Sequence, residues 1–128
     1  MQAPGNPVVW FELYVTDLAR AKTFYKAVFQ VELTDMVMPP GSENLQMSTF
    51  PWVEKGPGAT GALVKSPHMG PGGGGTLVYF SCADCAVEAA RAEASGGKVC
   101  QPKMSIGPYG FIAIVQDSEG NTIGLHSM

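Results

Sequence analysis

No apolar run in these 128 residues approaches the roughly 20 that a membrane-crossing helix requires, so a bilayer is not an expected partner. Positive charge is scarce too: eight Lys and Arg stand against eleven Asp and Glu, for a net charge of −3. A phosphate backbone needs a basic face, and these few cations are scattered, which excludes nucleic acid as an expected partner. The opening residues, Met1-Gln2-Ala3-Pro4-Gly5, contain neither the positive nor the apolar stretch of a secretion signal. Three cysteines cannot all pair within one chain, and the expected setting is a reducing cytoplasm. Charged residues are only 15% against 45% hydrophobic, which places the chain among globular rather than disordered sequences. Its length suffices for one domain with a true core.

What is present is alternation. Residues 8–15 read as a strand with Phe11, Leu13 and Val15 on one wholly apolar face and Trp10, Glu12 and Tyr14 on the other. Asp17 offers a helix N-cap, and Leu18, Ala21, Tyr25 and Val28 follow at helical spacing, with Phe24 and Phe29 widening the stripe. Strand-like segments near 31–38, 45–52 and 59–66 come next, broken by Pro39-Pro40-Gly41 and Lys55-Gly56-Pro57-Gly58. Residues 67–75, with four consecutive glycines, read as a linker. The pattern then restarts: a strand at 76–82, an Asp84 cap, an alanine-rich helix to about Ser95 closed by Gly96-Gly97, and strands near 98–104, 109–116 and 121–127. Asp117-Ser118-Glu119-Gly120-Asn121 makes the last tight turn. Each half thus reads strand, helix, three strands. The expectation is an α+β domain over 1–128, built of βαβββ modules at 8–66 and 76–128. Neither half alone has the apolar surface to stand by itself.

Smaller signals receive modest readings. Cys82-Ala83-Asp84-Cys85 has C-x-x-C spacing, but the strand pattern turns Cys82 toward the helix layer and no second pair exists for zinc. Cys100 reads as a small buried apolar residue. His68 reads as a solvated loop residue, and the Gly72–Gly75 run lacks the Gly-Lys-Ser/Thr ending of a phosphate loop. Met36, Met38 and Met47 read as wall residues. Tyr109-Gly110 reads first as a tight turn, with a gating role as the alternative.

The order of these pieces resembles the vicinal oxygen chelate superfamily, the group of glyoxalases, bleomycin-resistance proteins and extradiol dioxygenases. Val15-Thr16-Asp17-Leu18-Ala19-Arg20-Ala21 with Phe24-Tyr25 and Val28-Phe29 looks like that family's first helix. Gly96-Gly97-Lys98-Val99 looks like its second helix exit. Tyr109-Gly110-Phe111-Ile112-Ala113 and the segment from Asp117 to His126 resemble its closing hairpin. The resemblance implies two modules curving a sheet around a cup, helices outside, with a divalent metal in the cup acting as a Lewis acid. It also implies a homodimer. In metal-dependent glyoxalases the first ligand lies seven places before the equivalent of Asp17, which here is Trp10. The corresponding places are Leu77 in the second module, Gly124 in the last strand, and Gly61 as its first-module counterpart. An indole offers no free lone pair, and the others carry no donor, so no metal cofactor is expected at that site.

Alternation on this plan turns Trp10, Glu12 and Tyr14, Leu77 and Tyr79, and His126 toward the cup, with Leu63 as a further wall and Ile123 and Leu125 toward the helices. Such an apolar pocket with few polar groups suits a small molecule. For Glu12 and His126 three readings stand. They bind a ligand; they are structural, Glu12 bonding a tyrosine hydroxyl or backbone amide; or they form an acid–base pair or displaced metal site, the carboxylate holding the imidazole tautomer. The corresponding functions are a metal-independent small-molecule binder, a lyase or isomerase using Glu12 and His126, and a structural or interaction module.

Overall fold

A computed structural model describes residues 5–42 and 44–128; the first four residues, read above for a secretion signal, lie outside the described residues. The chain is α+β and divides into two compact units, residues 10–76 and residues 5–9 with 77–128. Among the described residues no helix is long and apolar enough to cross a membrane.

The strand Val8–Tyr14 (β1), which belongs to the first unit from Trp10 on, leads to Asp17, whose carboxylate accepts from the Arg20 amide at 3.0 Å and caps Leu18–Phe29 (α1). Gln30 ends the helix in a left-handed conformation (φ 54°), its amide reaching the Lys26 carbonyl. Thr34–Asp35 (β2), Gln46–Thr49 (β3) and Thr60–Lys65 (β4) complete a sheet of order β2-β3-β4-β1, parallel between β1 and β4 and antiparallel elsewhere. The middle strands are shorter than the alternation predicts. Thr34 and Asp35 pair with Thr49 and Ser48, the Met36 amide still reaches the Met47 carbonyl, and β3 stops just before Phe50-Pro51, where proline has no amide to donate.

The helix side of this sheet is aromatic. Tyr25 meets Phe50 edge-on at 5.5 Å between ring centroids, and Phe50 lies 5.6 Å from Phe11. The stripe on α1 is narrower than its spacing suggests. Leu18, Ala21 and Tyr25 are half-buried, while Phe24, Val28 and Phe29 are each more than half exposed.

The second unit repeats the plan. Thr76–Ser81 (β5) precedes Asp84, which accepts from the Ala86 amide at 3.0 Å and caps Cys85–Ala94 (α2). Asp17 and Asp84 therefore do the same work in each copy. Lys98–Ser105 (β6), Phe111–Gln116 (β7) and Thr122–Ser127 (β8) follow, in the order β5-β8-β7-β6, with β5 and β8 parallel and the rest antiparallel. One 3-10 turn, Gly107–Tyr109, leads through Gly110 into β7, in keeping with the tight turn read at Tyr109-Gly110. Cys82, Cys85, Ala89, Ala113, Val115 and Leu125 form the core against α2, with Phe80, Phe111 and Ile123 packed on it. That places Cys82, Ile123 and Leu125 on the helix side, as alternation requires. Cys100 departs from its reading: it is exposed, because β6 is the end strand of this sheet and slips register twice against β7 around Pro102.

Candidate functional site

With Phe11 committed to the helix side, the period of two sends Trp10, Glu12 and Tyr14 to the opposite face of β1. These three come together. The Tyr14 hydroxyl donates to Glu12 Oε1 at 2.6 Å and the Trp10 indole Nε1 donates to Oε2 at 3.1 Å. Glu12 is 9% exposed, so its carboxylate depends on such donors, each of which replaces lost hydration. The tyrosine hydroxyl bond anticipated by the structural reading of Glu12 is present.

Leu63 does not join them. The parallel register pairs Leu63 with Leu13 and Glu12 with Ala62, and paired residues share a face. Leu63 is therefore fully buried on the helix side, behind the sheet from Glu12. Gly61 lies on that side too, paired with Phe11; a Cβ there would stand 2.7 Å from the Phe11 Cγ. The residues of β4 that share the Glu12 face are Thr60, Ala62 and Val64. A one-residue shift in the assumed pairing accounts for both misplacements, since it turns every side chain over.

In the second unit Leu77 and Tyr79 lie on the face of β5 away from Phe80 and Cys82, and both are buried. Tyr79 pairs with Gly124, and a Cβ at Gly124 would stand 2.7 Å from Tyr79 Cγ. The glycine thus seats an aromatic ring in the space a longer residue would claim. Trp10 and Leu77 stand equally far before their capping aspartates, so Glu12 and Tyr79 correspond, and so do their partners Ala62 and Gly124. The first-module counterpart of Gly124 is Ala62 rather than Gly61.

His126 is half-buried on the same face of β8, and its Nε2 lies 2.6 Å from the Tyr109 carbonyl. A carbonyl oxygen only accepts, so in this contact Nε2 carries the hydrogen and donates. Tyr109 therefore bears on this face through its backbone, while its side chain is about half exposed. Sequence reasoning missed that role, since a carbonyl carries no residue-specific signal. His68 is exposed, its amide donating to Ser66 Oγ at 3.1 Å, and Met36, Met38 and Met47 are half-buried. Burial, the largest cause, pushes the Cys82 thiol up to about 11. Cys85 is fully buried, its backbone amide donating to Ser127 Oγ. Among the described residues no three of His, Cys, Asp and Glu gather as a metal-holding group.

Residues 8–125 match the family model described as the Glyoxalase/Bleomycin resistance protein/Dioxygenase superfamily. No curated protein matches the chain significantly. Among solved structures, a methylmalonyl-CoA epimerase of Streptomyces coelicolor in complex with 2-nitronate-propionyl-CoA is 17% identical, with a TM-score of 0.69 covering 95% of this chain and 94% of that one. The methylmalonyl-CoA epimerase of Mycobacterium tuberculosis is 15% identical, with a TM-score of 0.67 over 94% of this chain and 87% of that one. A hypothetical protein of Bacillus halodurans reaches 0.72 at 11% identity, covering 98% and 96%. Identities this low carry the fold alone.

Proposed function

Because the chain belongs to the glyoxalase, bleomycin resistance protein and dioxygenase superfamily, we propose that it binds a small molecule without the divalent metal used by that family's metal-dependent members. The residues at the ligand positions do not fit a metal. Trp10 is a hydrogen-bond donor, Ala62 and Leu77 carry no heteroatom, and the space above Gly124 belongs to the Tyr79 ring. The observation that carries the proposal is Glu12, a carboxylate held between an indole and a phenol on an otherwise apolar strand face. That arrangement suits an aromatic or cationic ligand, for which the rings supply a stacking surface and the carboxylate the charge. Trp10, Glu12 and Tyr14 in the first unit are the proposed contacts; the corresponding face of the second offers Leu77, Tyr79 and His126. Glu12, Tyr14, Leu77 and Tyr79 are each less than a tenth exposed, so entry requires side chains to part, with half-buried Trp10 and His126 giving way first.

A panel of aromatic cations titrated into a Trp52→Phe variant, with Trp10 as the single indole reporter, tests this reading. Saturable binding that shields Trp10 and weakens in Glu12→Gln supports it. Turnover of an offered ester or oxoacid, lost in Glu12→Gln, moves the assignment to an isomerase or lyase. Absence of any saturable ligand leaves a structural or interaction module. Tight, stoichiometric nickel, zinc or manganese would overturn the metal-independent reading. The homodimer and the cytoplasmic setting belong to the same proposal, and light scattering in solution decides the first.

A further inference from the structure

The helix side of the first unit carries an open groove of about 410 Å³. Its floor is Phe11 and Phe50, the ring pair that also receives Tyr25 from α1. Its walls come from the loop joining β3 to β4, chiefly Trp52, Val53 and Pro57, and Lys55 lies among them. Phe11 points away from the Glu12 face of β1, so this groove is separate from the site proposed above.

The loop is fixed by its own bonds. Thr60 Oγ1 donates to the Pro51 carbonyl at 2.9 Å, the Phe50 amide to the Gly61 carbonyl at 2.9 Å, and the Gly56 amide to the Val53 carbonyl at 2.9 Å. Trp52 is nevertheless 70% exposed and Val53 74% exposed. A large aromatic held open beside two other rings, in a volume within the range of small-ligand pockets, is a stacking surface for a planar molecule. Lys55 is the one charged residue lining the groove, and among the described residues it makes no ion pair. It stands at φ 61°, a backbone conformation that side chains other than glycine rarely adopt, within the tight turn closed by Gly56. The groove therefore joins an aromatic surface to a single cation.

We propose that this groove is a binding site for a small planar aromatic anion, its ring lodged among Phe11, Phe50 and Trp52 and its carboxylate or sulfonate meeting Lys55. The charge favours an anion here, as Glu12 favours a cation on the other face.

The test uses 2-naphthoate and its neutral counterpart 2-naphthamide, titrated into the whole chain and followed by amide chemical shifts. Saturable shifts from naphthoate centred on residues 50–60 are expected. Lys55→Gln weakens naphthoate roughly three- to fivefold, the range of a partly exposed ion pair, and leaves naphthamide unchanged. Trp52→Ala removes both. Shifts centred on β5 or β8, no saturable shift, or naphthoate affinity indifferent to Lys55→Gln would each overturn the proposal. Both positions are exposed, so the variants keep the fold, and the spectrum itself reports it. Loss of the Glu12 site leaves this outcome untouched, since the two faces are read by different residues.

Discussion

The Tyr14 hydroxyl donates to Glu12 Oε1 at 2.6 Å, two positions along one face of β1, while the Trp10 indole holds the other carboxylate oxygen. Two donors on the same strand thus reach one buried carboxylate. Tyr14→Phe removes one donor to an ionised group and is expected to lower unfolding free energy by about 1–3 kcal/mol. Trp10→Phe, at a half-buried position, costs less of its hydrogen bond. Urea denaturation of the three proteins decides it; a Tyr14→Phe midpoint equal to the parent's would mean the bond adds nothing.

Gly124 and Tyr79 are coupled by contact. Gly124→Ala forces a methyl into the ring and is expected to cost about 1–3 kcal/mol, the usual range for overpacking. In a Tyr79→Leu background the same substitution should cost less than about 0.5 kcal/mol. Equal costs in the two backgrounds would show that the glycine serves the backbone instead of the ring.

Three aspartates are expected to contribute to the acid limb of stability. The Lys22 ammonium, then the Ser48 hydroxyl, hold Asp35 below its ordinary value; Lys103 does so for Asp84; the Asn121 side chain and turn amides do so for Asp117. A depressed folded pKa means the stabilisation is present above the unfolded value, near 3.9, and is lost as pH falls through the folded one. Melting temperature is therefore expected to drop below about pH 4. Asp117→Asn should start lower at neutral pH and fall less steeply. Parallel curves for variant and parent would remove Asp117 from the account.

Cysteine reactivity should split by burial. Cys100 is exposed, Cys85 is fully buried, and Cys82 is buried with its thiol raised to about 11. Under iodoacetamide at mild alkalinity Cys100 is alkylated first, and Cys82 and Cys85 react only as the fold opens. Peptide mapping over time reads this directly, and early labelling of Cys82 would restore the redox reading of the C-x-x-C spacing.

The sequence by itself determined the repeat of strand, helix and three strands, both aspartate caps, and which side of β1 carries Glu12. All of these depend on local periodicity and on side chains reaching amides within three residues. Tertiary structure decided what depends on pairing. Strand register turned Leu63 and Gly61 to the helix side and made Ala62 the counterpart of Gly124. A single slip in register reverses a face, and no single strand encodes its partner's register. The Tyr109 carbonyl on His126, the Tyr79 ring over Gly124 and the groove beneath Trp52 each join residues distant in sequence. Their geometry exists only once the strands have paired.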